Sequence, residues 1–130
     1  MTVKRETIPP TWEEQYTFSP AVITEGGKTV WLAGQVGFVD DTGKSLAGDF
    51  DAQVRQTFRN IEKVLSRAGG RLRDIVTMTV YVSDARYSKR FTDLRREYYA
   101  KDFPASALIT AAGFALPEIL LEITATAVVA

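Results

Sequence analysis

The chain has 130 residues, and its 16 Lys and Arg balance 16 Asp and Glu, so its formal net charge at neutral pH is zero. That length suits one domain with a real core, and the neutral charge argues against nucleic acid as the main partner, which calls for a basic excess. With neither His nor Cys, the chain has no disulfide, no thiolate nucleophile, no Ser-His-Asp relay and no ordinary zinc ligand set.

Residues 1–15 read as an irregular arm, polar and interrupted by Pro9 and Pro10. The arm does not resemble a signal peptide, and no apolar run reaches the roughly 20 residues that span a bilayer. The expected location is therefore the cytoplasm. Phe18 to Thr24 reads as a strand closed by Gly26-Gly27, with Thr29 to Val36 as its hairpin partner. Asp40-Asp41-Thr42-Gly43 reads as a surface turn.

Val54, Phe58, Ile61, Leu65 and Ala68 recur at helical spacing, which predicts a helix from about Asp51 to Ala68 ended by Gly69-Gly70. Ile75 to Val82 is rich in β-branched residues and predicts a strand. A second helix is expected over Ala85 to Ala100, capped by Ser83 or Asp84. Its apolar positions are Phe91, Leu94 and Tyr98; Arg86, Lys89, Arg90, Arg95 and Arg96 lie on its other faces, where a solvated surface is the plain reading. Ala107 to Ala112 and Ile119 to Val129 are the closing strands. The order ββαβαββ, with two helices free to cover one sheet face, predicts an α+β fold.

The last strand separates into two faces. Ile119, Leu121, Ile123, Ala125 and Ala127 are uniformly apolar and should pack under the helices. Leu120, Glu122, Thr124, Thr126 and Val128 form a mixed face, too apolar for open water yet carrying a carboxylate. That face is expected to meet another subunit or a ligand. In a chain without His or Cys, Glu122 is among the few groups able to move a proton.

Several segments, in order, carry a resemblance. They are Phe18-Ser19-Pro20-Ala21-Val22, Leu32-Ala33-Gly34-Gln35, the helix from Ala52-Gln53 through Asn60-Ile61, Val80-Tyr81-Val82-Ser83-Asp84, Phe103-Pro104-Ala105, and Leu116-Pro117 with Leu121-Glu122-Ile123. Spaced in this way, they resemble the Rid/YjgF family of imine and enamine deaminases, also labelled L-PSP endoribonucleases. The resemblance implies a chorismate-mutase-like fold, three chains closing into a homotrimer around a central barrel, and ligand pockets between subunits, with no metal or cofactor.

It also implies site residues. Glu122 matches the glutamate that positions the attacking water, and Gly34 matches the glycine whose surroundings orient substrate. The family's tyrosine position holds Phe18, its helix asparagine position holds Thr92, and its carboxylate-binding arginine position holds Ser106. Ser cannot make the bidentate charged grip of Arg, so the resemblance implies a divergent member with a changed substrate range, for which simple 2-imino acids are poor substrates. One of Arg90, Arg95 and Arg96 could restore the charge from another direction. The leading expectation is C–N bond hydrolysis of a small imine-like metabolite. A non-catalytic small-molecule-binding or regulatory trimer is the alternative, and an endoribonuclease or translation inhibitor ranks below both.

Overall fold

The computed structural model describes residues 2–130. Eight principal elements build it: β1 (Lys4–Thr7), β2 (Val22–Glu25), β3 (Lys28–Trp31), α1 (Phe50–Arg67), β4 (Ile75–Val82), α2 (Ser88–Arg95), β5 (Ala105–Thr110) and β6 (Leu121–Val129). Short 3-10 turns at Trp12–Tyr16, Leu72–Asp74 and Ala85–Tyr87 join them.

The main sheet is mixed, in the order β3-β6-β4-β5. β6 runs antiparallel to both β3 and β4, while β5 lies parallel to β4 at the edge. A parallel neighbour needs a crossover, and α2 supplies it. α1 and α2 cover the same face of the sheet. Val54, Phe58, Ile61 and Leu65 of α1 and Phe91 and Leu94 of α2 are fully buried with Leu121 and Ile123 of β6 and Val80 and Val82 of β4. The Phe58 ring stacks on Tyr98 with centroids 4.2 Å apart.

α1 forms where its apolar stripe predicts, but it begins one residue earlier, at Phe50. The cause is Asp49, whose carboxylate accepts the Ala52 N–H at 3.0 Å and so caps the helix. At the other end Gly69 takes a φ of +80°. The Gly70 and Gly69 amides donate to Leu65 O and Ser66 O at 2.8 and 3.2 Å. This is a Schellman stop, and a residue with a Cβ would be strained at position 69.

Two expectations need correction. The chain does turn at Gly26-Gly27, but β2 and β3 do not form a hairpin ladder: β2 pairs with β1 and β3 pairs with β6. The arm is therefore not irregular throughout. Arg5 pins it by donating to Arg73 O and Ile75 O, both at 3.0 Å, so a four-residue polar strand is held by contacts far away in sequence. The second helix is also shorter than expected: Asp84 caps a 3-10 turn through the Arg86 N–H, and the regular helix covers only Ser88–Arg95.

Gln53 fixes the approach to β6. Its side chain is fully buried, donates to Leu46 O and Glu118 O at 3.0 and 2.9 Å, and accepts the Leu120 N–H at 3.0 Å. All of its buried polar atoms are thereby engaged, and the residue that leads into the strand carrying Glu122 is held in register. Among the described residues, no helix is long and apolar enough to cross a membrane.

Candidate functional site

β6 places Glu122 directly opposite Tyr81 on β4, with Thr124 opposite Thr79. These residues occupy the sheet face away from the helices. Ile123 and Leu121 on the same strand point into the core, as the period of two predicts. The Glu122 side chain is only partly buried. Among the described residues, no cation or hydrogen-bond donor pairs with its carboxylate. Gly34 lies against it: a Cβ built on Gly34 would come within 2.4 Å of Glu122 Oε2. The absence of a side chain at position 34 gives the carboxylate its room. The backbone leaves β3 after Trp31 and returns to the sheet through a bridge between Gln35 and Ile123, and this return carries Gly34 to Glu122.

Phe18, Thr92 and Ser106 come together elsewhere. They line a cavity of about 910 Å³ beside the edge strand β5, between α2 and the 3-10 turn Trp12–Tyr16. Ser106 sits opposite Met78, a core residue, so it belongs to the helix-covered face of the sheet, whereas Glu122 belongs to the open one. The five residues singled out from the sequence therefore form two groups within one chain. Gly34 and Glu122 touch each other, and Phe18, Thr92 and Ser106 share the cavity.

Of the three candidate arginines, Arg90 is bound to Asp51 and Arg96 donates to Glu14 O and Gln15 O. Arg95 alone reaches the cavity. It is 2% exposed, and its Nη1 donates to Ser106 Oγ at 2.7 Å. Its Nε donates to Thr17 Oγ1 at 3.0 Å and its Nη2 to Tyr16 O at 3.1 Å, while the guanidinium carbon lies 5.0 Å from the centre of the Phe91 ring. No carboxylate pairs with it among the described residues. Burial pushes its pKa down to about 10, so it still carries its charge at neutral pH. Arg95 is one of the three arginines expected to be able to restore the charge, but nothing in the sequence singles it out among five basic residues on a helix that reads as solvated.

Thr17, the hydroxyl partner of Arg95, is fully buried with a φ of +62°. For a β-branched residue this is a strained conformation. The cavity's outer wall is aromatic: Trp12 packs edge-on against Phe18 at 5.5 Å and against Tyr16 at 6.0 Å.

The family model described as Endoribonuclease L-PSP matches residues 12–129. A RutC family protein of Pyrococcus horikoshii is 32% identical over 104 residues, covering 79% of this chain and 81% of its own. The human 2-iminobutanoate/2-iminopropanoate deaminase is 28% identical over 112 residues, covering 85% of this chain and 79% of its own. Among solved structures, the Rid family protein YyfB of Yersinia pestis, described as of unknown function, superposes with a TM-score of 0.84 at 31% identity and covers 96% of this chain and 98% of that one. The mixed sheet with two helices on one face and the sequence matches agree, and the chain belongs to the Rid/YjgF family.

Proposed function

We propose that the protein hydrolyses the C=N bond of small imines and releases ammonia, at a pocket assembled between two copies of the chain. The observation that carries this reading is the state of Glu122: a carboxylate in an otherwise uncharged strand, facing away from its own core, with room made by Gly34 and with no partner among the described residues. Such a group is stabilised by what a second surface or a bound molecule brings to it. Relatives named as 2-iminobutanoate/2-iminopropanoate deaminases support the chemistry.

The two groups of candidate residues lie on opposite faces of one sheet, so a second copy is needed to complete a site. If the open face of one chain packs against the β5 edge of the next, Glu122 and Gly34 of the first face the Phe18, Thr92 and Ser106 cavity of the second. Repeated around a three-fold axis, this heterologous contact closes as a homotrimer with three equal pockets.

In the reaction, Glu122 accepts a proton from water as the water oxygen bonds to the imine carbon and the C=N π pair moves to nitrogen, and the Glu122 carboxyl then gives that proton to the nitrogen and returns to its carboxylate form. The carbinolamine then collapses. Its hydroxyl proton passes through the carboxylate to nitrogen, the C–N bond breaks, and a carbonyl compound and one ammonia leave for each water consumed. An enamine enters the same path after protonation at carbon.

The test uses imines generated in place by an amino acid oxidase, with ammonia release measured above the spontaneous rate. Glu122→Gln keeps the shape and removes the base. Its kcat/KM should fall by about 10²–10⁴-fold, and wild-type turnover in this variant would sink the mechanism. The specific feature favouring a purely binding role is the Arg95–Ser106 pair, which equips the cavity to hold a ligand with no help from Glu122. Ligands that stabilise the protein yet are never consumed would favour that second reading.

A further inference from the structure

The cavity holds a charged group, Arg95, that has no counter-ion among the described residues. A guanidinium taken out of water costs several kcal/mol unless a negative partner and good hydrogen bonds compensate. Arg95 finds three neutral acceptors, Ser106 Oγ, Thr17 Oγ1 and Tyr16 O, and one ring face, but no carboxylate. Three of its five N–H bonds are thereby directed at acceptors, which leaves donors over for a ligand. The strained Thr17 is part of the same arrangement, and strain of this kind persists where surrounding contacts enforce it, often at ligand sites. One side of the lining is apolar and aromatic, with Trp12, Tyr16, Phe18 and Leu108, and on the other side the charges are already paired, Lys89 with Asp93 and Arg86 with Asp84. A buried cation without a counter-ion beside an aromatic wall suits a small amphipathic anion.

We propose that Arg95 is the anion anchor of this cavity, gripping the carboxylate of a small ligand whose apolar body lies against Trp12, Tyr16 and Phe18. Ser106 serves the same end from β5. Its hydroxyl accepts from Nη1 in the free protein and aims the guanidinium toward the cavity. The positive charge missing at position 106 is supplied from the last turn of α2, and the protein takes carboxylate-bearing substrates after all. This rests on the reading above that the cavity is the substrate-holding half of the site.

The test is a pair of isosteric probes, phenylacetate and phenylacetamide, titrated into the purified full chain with tryptophan fluorescence as the readout, since Trp12 stands at the rim. The wild type should bind the carboxylate about tenfold or more tighter than the amide, because a charged guanidinium–carboxylate contact is roughly twice as strong as its neutral counterpart. Arg95→Met should bring the two within about twofold, and Arg95→Lys should keep part of the preference, since the point charge survives without the fork. Ser106→Ala should weaken the preference without abolishing it, because Nη1 loses the hydroxyl that aims it while the charge remains. Equal affinity of the wild type for both probes overturns the proposal, as does binding of neither up to about 10 mM. Both of these are decided on the wild type alone, so a variant that fails to fold does not rescue the idea. The outcome also separates from that of the hydrolase reading. Carboxylate preference without ammonia release refutes hydrolysis and leaves the anchor standing, whereas ammonia release without carboxylate preference does the reverse.

Discussion

Gly34→Ala perturbs Glu122 without touching its chemistry. The new Cβ would stand 2.4 Å from Oε2 and 3.0 Å from Cδ, so the carboxylate must retreat by about 1 Å to reach an ordinary contact near 3.4 Å. The atoms in the way are the far end of a flexible side chain, so the backbone need not move. Gly34 lies outside the left-handed region, so alanine is also compatible with its backbone. Replacing Gly by Ala at such a position stabilises by about 0.4–1 kcal/mol through the unfolded chain, and displacing Glu122 offsets part of that gain. Thermal midpoints should therefore agree within a few degrees. A misplacement of about 1 Å in a catalytic group costs about 10²-fold in rate. Ammonia release measured for the wild type, Gly34→Ala, Glu122→Gln and the double variant should show a loss near that size for Gly34→Ala, and no further loss when it is added to Glu122→Gln. Wild-type turnover by a well-folded Gly34→Ala protein would refute the view that the carboxylate's position matters.

Other consequences concern the scaffold. Gln53→Leu deletes three buried hydrogen bonds and leaves the Leu120 N–H and two carbonyls unsatisfied, so urea unfolding should show a loss of about 2–4 kcal/mol. A loss below about 0.5 kcal/mol would show that water replaces the amide freely. Acid stability follows from Asp41, Asp51, Asp84 and Glu97, whose carboxyls are held below the ordinary range by hydrogen bonds from Lys63, Arg90, Arg86 and Arg55 respectively, Asp84 down to about 2. Each binds its proton less readily folded than unfolded. Their contribution is thus complete above the ordinary carboxyl range and is lost as pH falls through it toward about 2. With no His in the chain, circular dichroism melts should show no step near pH 6.5, the ordinary imidazole pKa; a clear step there would contradict the assignment.

The elements legible in the sequence are those whose pattern is local and repeated. The stripe from Val54 to Leu65 declares α1, and the alternation along β6 declares which side of Glu122 is core. Non-local pairing was not legible. Lys4–Thr7 has no apolar pattern and becomes a strand because Arg5 reaches Arg73 and Ile75, some 70 residues on. The same limit applied to the candidate site. Period two places Glu122 on the mixed face, but only the parallel register of β5 on β4, with Ser106 opposite Met78, shows that Ser106 faces the other way. Arg95 could not be told apart from Arg90 and Arg96 for a related reason. Its burial depends on Thr17 and Tyr16 folding back across α2, a contact separated by almost 80 residues.

The most direct test of a site shared between copies is complementation. Glu122→Gln disables the open-face half. Ser106→Phe fills the floor of the cavity with a large ring at a position bordering open space, and so disables the other half. Each variant alone should lack ammonia release from an oxidase-generated imine. Mixed in equal amounts, unfolded and refolded together, they should recover activity, because random assembly leaves about one interface in four with both halves intact. Recovery to roughly a quarter of the wild-type rate is the predicted result. Mixed oligomers that form yet stay inactive would contradict a site built from two chains.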